Sequence, residues 1–503
     1  MDGINYGYDS ARSTCAQVLA TMAFECLMFN VGIIIGMPVI VIGALRLPGS
    51  DFSLTDDEAS WFAGLIFIAQ PLGSVVSGFL QDQLGRKLCM MVVNIPQLMA
   101  WVALHYATSA TTLFVSVATM GLSLGFMEAP VLSYIGEISE PRLRGVLSSL
   151  GGIFFNFGLV VSAFIGASTD WRTMMLWSAL SPILAFLALS LVPDSPAWLV
   201  TKGRVKDAEK AFQWLRGWVS PEMVKEELDT LISYVRNSGQ ASTRVLNLLE
   251  YQVVATEEGG TTPSHATKSQ LEIFLHPSVQ RPLRLIVTFF FITSCTSLTA
   301  MKPFFVEFLT SLNLPIRPNM VIFLGTGLVF LGAITSTLLM RRVGKRGLTF
   351  SSLGLGVVCC FGLGLYLIFN LHVPWLVITL VCLMNFAATL GMLPVPWILI
   401  SEVFPLKGRG VASGVSAAIG YLLMFIIIKT YFNVVYLIGE SGALFLYGTV
   451  GLLGIVYLYF NLPETEGVPL QEIEKIFYNE ETTDRCDNGK HSAKRENELR
   501  SHV

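Results

Sequence analysis

Charged residues are scarce in this chain: 14% of its 503 residues are Asp, Glu, Lys or Arg, while 53% are hydrophobic. The mean hydropathy is +0.61. This composition excludes an ordinary soluble protein of this length. The formal net charge of −3 gives no reason to expect a nucleic-acid partner.

Patterns for catalysis and metal binding are also missing from the sequence. The six histidines are scattered, and no Ser-His-Asp set, zinc-type cluster or phosphate-binding loop can be found. The eight cysteines lack paired metal-ligand spacing and fall mostly in apolar stretches. We therefore interpret them as small buried hydrophobic residues, and the sequence predicts neither an enzyme nor a cofactor.

Long apolar runs dominate the chain instead, and each is long enough to cross about 30 Å of hydrocarbon as a helix. Only helices satisfy their own backbone in lipid at this length, so the predicted fold class is an all-α membrane protein with twelve transmembrane helices. The first six runs cover 16–45, 59–82, 87–108, 112–136, 145–167 and 172–192. The second six cover 283–312, 319–341, 347–370, 374–403, 411–437 and 439–461.

The runs predict two six-helix bundles, over 1–192 and 283–462, joined by a helical loop and linker over 193–282 and followed by a tail over 463–503. Lys and Arg concentrate in alternate loops, and the opposite loops carry few of them. Basic loops stay in the cytoplasm. With an even number of spans, this bias predicts a multi-pass protein with both termini in the cytoplasm. The expected location is the plasma membrane.

The chain also repeats a charged motif. E-I-S-E-P-R-L-R-G begins at Glu137 and E-V-F-P-L-K-G-R-G begins at Glu402, 265 residues later (402 − 137). Segments around Gly85 and Gly344 repeat at nearly that offset, and so do P-D-S-P after the sixth run and P-E-T-E after the twelfth. A repeat of about half the chain length indicates two structurally matched bundles.

These motifs occur in a characteristic order: Gly78, Asp82, Gly85, Arg86 and Lys87; Glu137, Arg144 and Gly145; Pro193-Asp194-Ser195-Pro196; Pro394, Pro396, Trp397, Glu402, Arg409 and Gly410; and Pro463-Glu464-Thr465. In this order and spacing, over about 15 to 465, the chain resembles the sugar porters of the major facilitator superfamily, and among them the insect facilitated trehalose transporter-like branch. The resemblance implies the major facilitator fold and a carrier of trehalose or a hexose-like solute that works by alternating access, with facilitated diffusion as the mode.

Other functions stay open. These are a proton-coupled symporter, a carrier of a non-sugar solute, and a transporter-shaped sensor that binds without transport. The expected partners are a small solute and the lipid bilayer.

Six of the motif charges lie where helices leave the membrane on the cytoplasmic side: Asp82, Arg86, Glu137, Arg144, Glu402 and Arg409. Arg forms bidentate pairs with carboxylates. We expect these residues to form a separable gate between the halves; the alternative is that they set topology and stay solvated. Arg341 stands where the resemblance implies an acid, so one half of the gate is weaker or differently built.

A sugar site needs hydrogen-bonding side chains for hydroxyls and an aromatic face for C–H groups. Trp397 and Tyr421 fit the aromatic role, and the resemblance implies Asn156. The seventh span lacks the amides that the resemblance implies, and the hydroxyls of Ser294, Thr296 and Ser297 are candidates to replace them in part. For each residue the alternative is ordinary helix packing.

Two acids inside predicted spans, Glu128 and Glu25, are candidates for proton coupling, because an intramembrane charge is costly and usually faces a cavity or a partner. The alternative is a structural carboxyl that is bonded to a neighbouring helix.

Overall fold

A computed structural model describes residues 10–46, 52–233, 235–236, 277–404, 409–468, 473 and 477. Its elements in these ranges are helices. In the first half they are α1 (Ser10–Arg46), α2 (Asp56–Leu84), α3 (Arg86–His105), α4 (Ala110–Ile138), α5 (Pro141–Ser168), α6 (Trp171–Ser178) and α7 (Leu180–Ser190). α1 starts several residues before the predicted first span, and the sixth span is divided at Ala179.

Short helices follow: α8 (Pro196–Thr201), α9 (Val205–Leu215) and α10 (221–233). They form their own small apolar core around Trp198, Phe212 and Leu228. The helical character that was predicted for the loop is therefore present. The rest of the predicted loop and linker, over 237–276, lies outside the described residues, as does most of the predicted tail over 463–503.

The second half contains α11 (Pro277–Thr296), a 3-10 turn (Lys302–Phe304), α12 (Phe305–Ser311), α13 (Pro318–Ile368), α14 (Pro374–Ala387), a π turn (Ala388–Met392), α15 (Pro394–Glu402), α16 (Arg409–Lys429) and α17 (Tyr431–Asn461). The π turn closes with a bond from the Leu393 N–H to the Ala388 carbonyl. Pro394 cannot donate a backbone hydrogen bond, which explains why the regular ladder breaks just before α15.

Ten described helical stretches are long and apolar enough to cross a membrane. One of them, α13, has 51 residues and turns at Gly344, so it contains two predicted spans. The predicted seventh span is a broken helix, because α11 stops at Thr296 and Leu298 adopts a φ of 53° before the chain resumes helical geometry. These two departures account for the difference between twelve predicted spans and ten.

Small residues allow two helices of the first half to approach closely. A Cβ added at Gly73 of α2 would lie 2.0 Å from the Leu122 carbonyl oxygen, and one at Gly125 of α4 would lie 1.8 Å from the Gln70 carbonyl oxygen. Such contacts bring helix backbones together in membrane proteins. The close approach brings Gln70 next to Glu128, which lies one turn after Gly125 on α4.

The two halves meet mainly along two helix pairs, and α1 also contacts the 3-10 turn and α12 of the second half. α2 packs against α16, and α5 packs against α13. The ring of Trp61 lies 5.5 Å from Phe425 in the first contact, and Phe164 lies 5.6 Å from Phe323 in the second. A functional site between the halves is therefore built from both repeats.

Candidate functional site

One end of the first bundle carries a charge cluster around Glu137. Arg86 Nη2 lies 2.9 Å from Glu137 Oε1, and Arg86 Nη1 lies 3.2 Å from Asp82 Oδ1. Ser195 donates its hydroxyl hydrogen to the other Glu137 oxygen. Arg86 therefore joins the ends of α2 and α4 from the start of α3, and the segment before α8 closes over them.

The carboxylate of Asp194 completes this cluster. It accepts a hydrogen bond of 3.4 Å from the Lys87 backbone and one of 2.8 Å from the Ser195 backbone. Burial raises the pKa of the Asp194 carboxyl, and these two backbone donors oppose the increase. Gly85 turns the chain here with φ 93° and ψ 160°, and a Cβ at this position would lie 2.8 Å from Asp194 Oδ2.

The second bundle repeats this geometry with different residues. Lys345 Nζ lies 2.7 Å from Glu402 Oε1 and 3.1 Å from Glu466 Oε2, and Thr465 donates to Glu402 at 2.8 Å. Glu464 accepts from the backbone of Lys345 at 3.1 Å. Gly344 takes φ 78° and ψ 163°, as its counterpart does in the first half. We call the end of the molecule with these two clusters the basic face.

The predicted gate residues pair differently from the prediction. Arg86 with Asp82 and Glu137, and Lys345 with Glu402, are contacts inside one half, whereas the sequence placed such pairs between the halves. Glu402 pairs with Lys345, which is not among the predicted gate residues. The side chains of Arg144 and Arg409 lie outside the described residues. The gate role itself stays a prediction.

An aromatic cluster lies where α11, α15 and α16 meet. The Trp397 ring is 4.9 Å from Phe290 at 66° and 5.2 Å from Tyr421 at 41°. The π turn and Pro394 position the short helix that carries Trp397. The structure therefore brings together the two predicted aromatic residues and adds Phe290.

Tyr421 also connects the cluster to the first half. Its hydroxyl donates to Glu128 Oε1, and Gln70 Nε2 donates to the same oxygen at 2.5 Å. Both donors are neutral. The Glu128 carboxyl is thus held by one helix of its own half and one helix of the other, and Gln70 was not predicted from the sequence.

Two predicted polar residues present atoms that lack a partner. Asn156 on α5 is buried and donates to the Gly152 carbonyl at 2.7 Å. Among the described residues, its Oδ1 atom and the buried Ser294 hydroxyl have no hydrogen-bond partner. Ser294 follows Phe290 by four residues and so lies on the same side of α11. Ser297 lies just beyond the end of α11, and its hydroxyl is 2.9 Å from that of Thr299. Buried polar atoms of this kind require explanation, since most are satisfied.

Thr296 has a different environment. Its hydroxyl donates to the Ile292 carbonyl at 2.8 Å, and a Cβ at Gly451 of α17 would lie 2.6 Å from that hydroxyl oxygen. The side chain therefore packs inside the second half. This placement argues against the predicted contact between Thr296 and a solute.

Glu25 lies on α1 and is fully buried. Neither of its carboxylate oxygens has a hydrogen-bond partner among the described residues, and a Cβ on Gly151 of α5 would lie 3.3 Å from Oε2. The structure thus places Glu25 at the contact between α1 and α5 and gives it no described connection to Glu128.

Two matched helical bundles with polar and aromatic groups at their boundary define a membrane carrier of the major facilitator fold. A solved structure of the xylose transporter XylE from E. coli in an inward-open conformation aligns with a TM-score of 0.70 over 93% of this chain and 100% of that chain, at 15% identity. At this identity the likeness shows the fold alone.

Sequence comparison assigns the family. The model described as sugar (and other) transporter matches residues 15–477, and the chain belongs to this family. It is 26% identical to the facilitated trehalose transporter Tret1 of Culex quinquefasciatus, over 92% of this chain and 86% of that protein. It is also 26% identical to the Tret1 protein of Bombyx mori, over 91% of this chain and 86% of that protein.

Proposed function

We propose that this protein moves trehalose or a hexose-like sugar across the plasma membrane by alternating access, as facilitated diffusion. The basic face and both termini lie in the cytoplasm in this proposal, because Lys and Arg concentrate in the loops of that face. The family assignment and the trehalose transporters among its relatives support the choice of cargo.

The observation that carries the proposal is the junction of Trp397, Tyr421 and Glu128. It places an aromatic surface from the second half next to hydrogen-bonding groups from the first half. A sugar needs both kinds of contact. A solute bound here would touch both halves, so its binding would respond to their relative movement.

Asn156 Oδ1 and Ser294 Oγ, which have no hydrogen-bond partner in the described part of the chain, support a polyhydroxylated cargo. A buried acceptor without a partner costs about 1–3 kcal/mol, which a sugar hydroxyl would recover on binding. These two residues come from different halves, as the site proposal requires. The Ser294 hydroxyl would partly replace the amides that are missing from α11, and Asn156 would contribute an amide from α5.

Glu128 favours a second candidate, a proton-coupled sugar symporter. Its described donors are the neutral side chains of Gln70 and Tyr421, so a proton on Glu128 would not disrupt an ion pair there. Tyr421 belongs to the second half, so its hydrogen bond to Glu128 would change when the halves separate. Glu25 is the alternative acid, since it is buried without a described partner.

Radiolabelled uptake of trehalose, glucose and polyols into cells, at mildly acidic and at neutral pH, tests both candidates. Trp397→Ala should raise the apparent KM about tenfold, because loss of a stacked aromatic face costs about 1.4 kcal/mol. Trp375→Ala is the matched control, since this ring is exposed near the start of α14.

The outcomes distinguish the candidates. Saturable uptake that ignores pH and depends on Trp397 supports facilitated diffusion. Uptake that increases in acid and is lost in Glu128→Gln supports symport. If no sugar is taken up although the protein reaches the cell surface, the sugar proposal is wrong. Binding without counterflow in proteoliposomes would identify a sensor.

A further inference from the structure

The face opposite the basic face carries two ion pairs that connect the halves. Arg46 is the last residue of α1, and Lys429 is the last residue of α16. Each reaches a carboxylate of the other half, Glu307 and Asp57 respectively. The ion pairs described at the basic face, by contrast, lie within one half.

Arg46 binds acids on both sides of the boundary. Its Nε atom lies 2.9 Å from Glu307 Oε2, and its Nη2 donates to Glu307 Oε1 at 3.0 Å. Nη1 lies 2.7 Å from Asp56 Oδ1 at the start of α2. The guanidinium also stacks over Phe432 of α17, 4.9 Å from the ring centre. Asp56 and Glu307 are therefore both within ion-pair distance of the same guanidinium, and the Nη2 hydrogen bond reaches across the boundary to Glu307.

Lys429 makes the matching contact from the second half. Its ammonium group pairs with Asp57, donates to Ser60 Oγ at 3.0 Å and lies 4.9 Å from the centre of the Trp61 ring. All three partners belong to the first two turns of α2. A cation that meets a carboxylate, a hydroxyl and a ring face at one place indicates a formed contact rather than a solvated lysine.

The first turn of α2 organises both pairs. Asp56 and Asp57 are consecutive there, where the positive end of the helix dipole favours carboxylates. Thr55 accepts from the Glu58 backbone and Glu58 accepts from the Thr55 backbone, so a capping box fixes this turn. One ordered turn therefore presents adjacent acids to a basic residue from each half.

We propose that Arg46–Glu307 and Lys429–Asp57 form a latch that keeps the opposite face closed and must open in each transport cycle. Arg46 and Lys429 are then positioning residues that set the fraction of molecules open to that face. The inference rests on the proposed alternating access, but not on the identity of the cargo. Salt should weaken the latch, because its carboxylates are partly exposed: Glu307 is 44% and Asp57 is 76% exposed.

The test measures the opening of this face without any cargo. Nitroxide labels are attached through a genetically encoded keto amino acid in place of Tyr106 and Tyr436, which leaves the native cysteines unchanged. Both positions are exposed, at 71% and 91%, near the opposite-face ends of α3 and α17. Pulsed electron paramagnetic resonance of the full chain in lipid nanodiscs then reports the distance between the halves.

The wild-type protein should give mainly a short distance. Lys429→Gln or Arg46→Gln should increase the ratio of open to closed molecules about threefold each, and both together about tenfold. The reversed pair Asp57→Lys with Lys429→Asp should restore the short distance, a result that a general loss of folding would not give. Arg317→Gln is the control, since it removes an exposed charge at the same face.

The proposal is overturned if the latch variants keep the wild-type distances, or if Arg317→Gln opens the face equally. Failure of the cargo proposal would look different. The latch variants would still lengthen the distance, while uptake assays would find no sugar transported by the wild-type protein.

Discussion

Each of the two clusters at the basic face holds a cation between two carboxylates, but the two halves use different residues for this. In the first half, the planar Arg86 fork binds Glu137 and Asp82, and a serine hydroxyl binds the remaining Glu137 oxygen. In the second half, the single ammonium of Lys345 binds Glu402 and Glu466, and a threonine hydroxyl takes the place of serine. The backbone turns at the two glycines are nearly the same.

The difference shows which parts of the repeat are interchangeable. A glycine turn capped by a carboxylate is kept in both halves, because the backbone geometry depends on it. The cation and its second acid are replaced, since Arg341 occupies the position equivalent to Asp82 and Glu466 supplies a carboxylate from beyond α17. The second cluster depends on one point charge, which should make it the more sensitive of the two.

The largest loss of stability should come from a change in the glycine turn that both halves share. Gly344→Ala places a Cβ 2.3 Å from Glu464 Oε2, in a backbone region that is essentially restricted to glycine. We expect a loss of about 3 kcal/mol of stability, which thermal unfolding in detergent micelles would detect as a clear decrease in the unfolding temperature. Gly85→Ala should behave similarly, because its Cβ would meet Asp194 at 2.8 Å.

Gly354→Ala is the matched control in the same helix. A Cβ there would meet nothing within 4 Å, and the residue is helical. Alanine should stabilise this position by about 0.5–1 kcal/mol. If Gly344→Ala were as mild as Gly354→Ala, the shared glycine turn would not be what the repeat preserves.

A smaller difference in stability should distinguish the two clusters. Both variants leave the central glutamate with its hydroxyl partner. The second acid differs: Lys345→Met leaves Glu466, which is 28% exposed, near Glu402 without a cation, whereas Arg86→Met leaves Asp82, which is 73% exposed, in water. We expect a loss of about 2–3 kcal/mol for Lys345→Met and about 1–2 kcal/mol for Arg86→Met, since the pairs are partly exposed. Thermal unfolding of both variants measures the difference.

Glu402→Gln in the Lys345→Met background provides the control for this comparison. Removal of the unpaired charge should recover part of the loss, and a double-mutant cycle gives the coupling energy. Equal losses in Lys345→Met and Arg86→Met, or no recovery, would mean that the second cluster is not the more sensitive one.

The sequence could predict the parts of the molecule that repeat. Apolar runs predicted the helices, and the repeated segments around Gly85 and Gly344 predicted two matched bundles. The structure adds that both glycines adopt a positive φ. Lys345, the partner of Glu402, lies 57 residues before it in the chain, and Glu466, the second acid of the cluster, lies 64 residues after it (466 − 402). Local spacing cannot show which distant acid replaces a missing one.

The contacts between the halves could not be predicted from the sequence either, because their partners are also far apart along the chain. Glu128 and Tyr421 are 293 residues apart, and Lys429 and Asp57 are 372 apart. The sequence did single out Glu128 as a costly charge inside a predicted span. The pairing of these residues depends on how two separately folded bundles dock, and no periodicity within either bundle encodes that arrangement.

The smallest effect should come from Asp82. This acid is 73% exposed and pairs with Arg86 one helical turn away, so Asp82→Asn should cost at most about 0.5 kcal/mol. Arg341→Asp should conversely give Lys345 a third acid and change stability by a similarly small amount, because Glu466 already fills that role. Unfolding of Arg341→Asp with Glu466→Gln is the decisive measurement. If the new acid compensates for Glu466, the position equivalent to Asp82 and the residue beyond α17 are alternative sources of one carboxylate; if it does not, the two clusters are not equivalent in this respect.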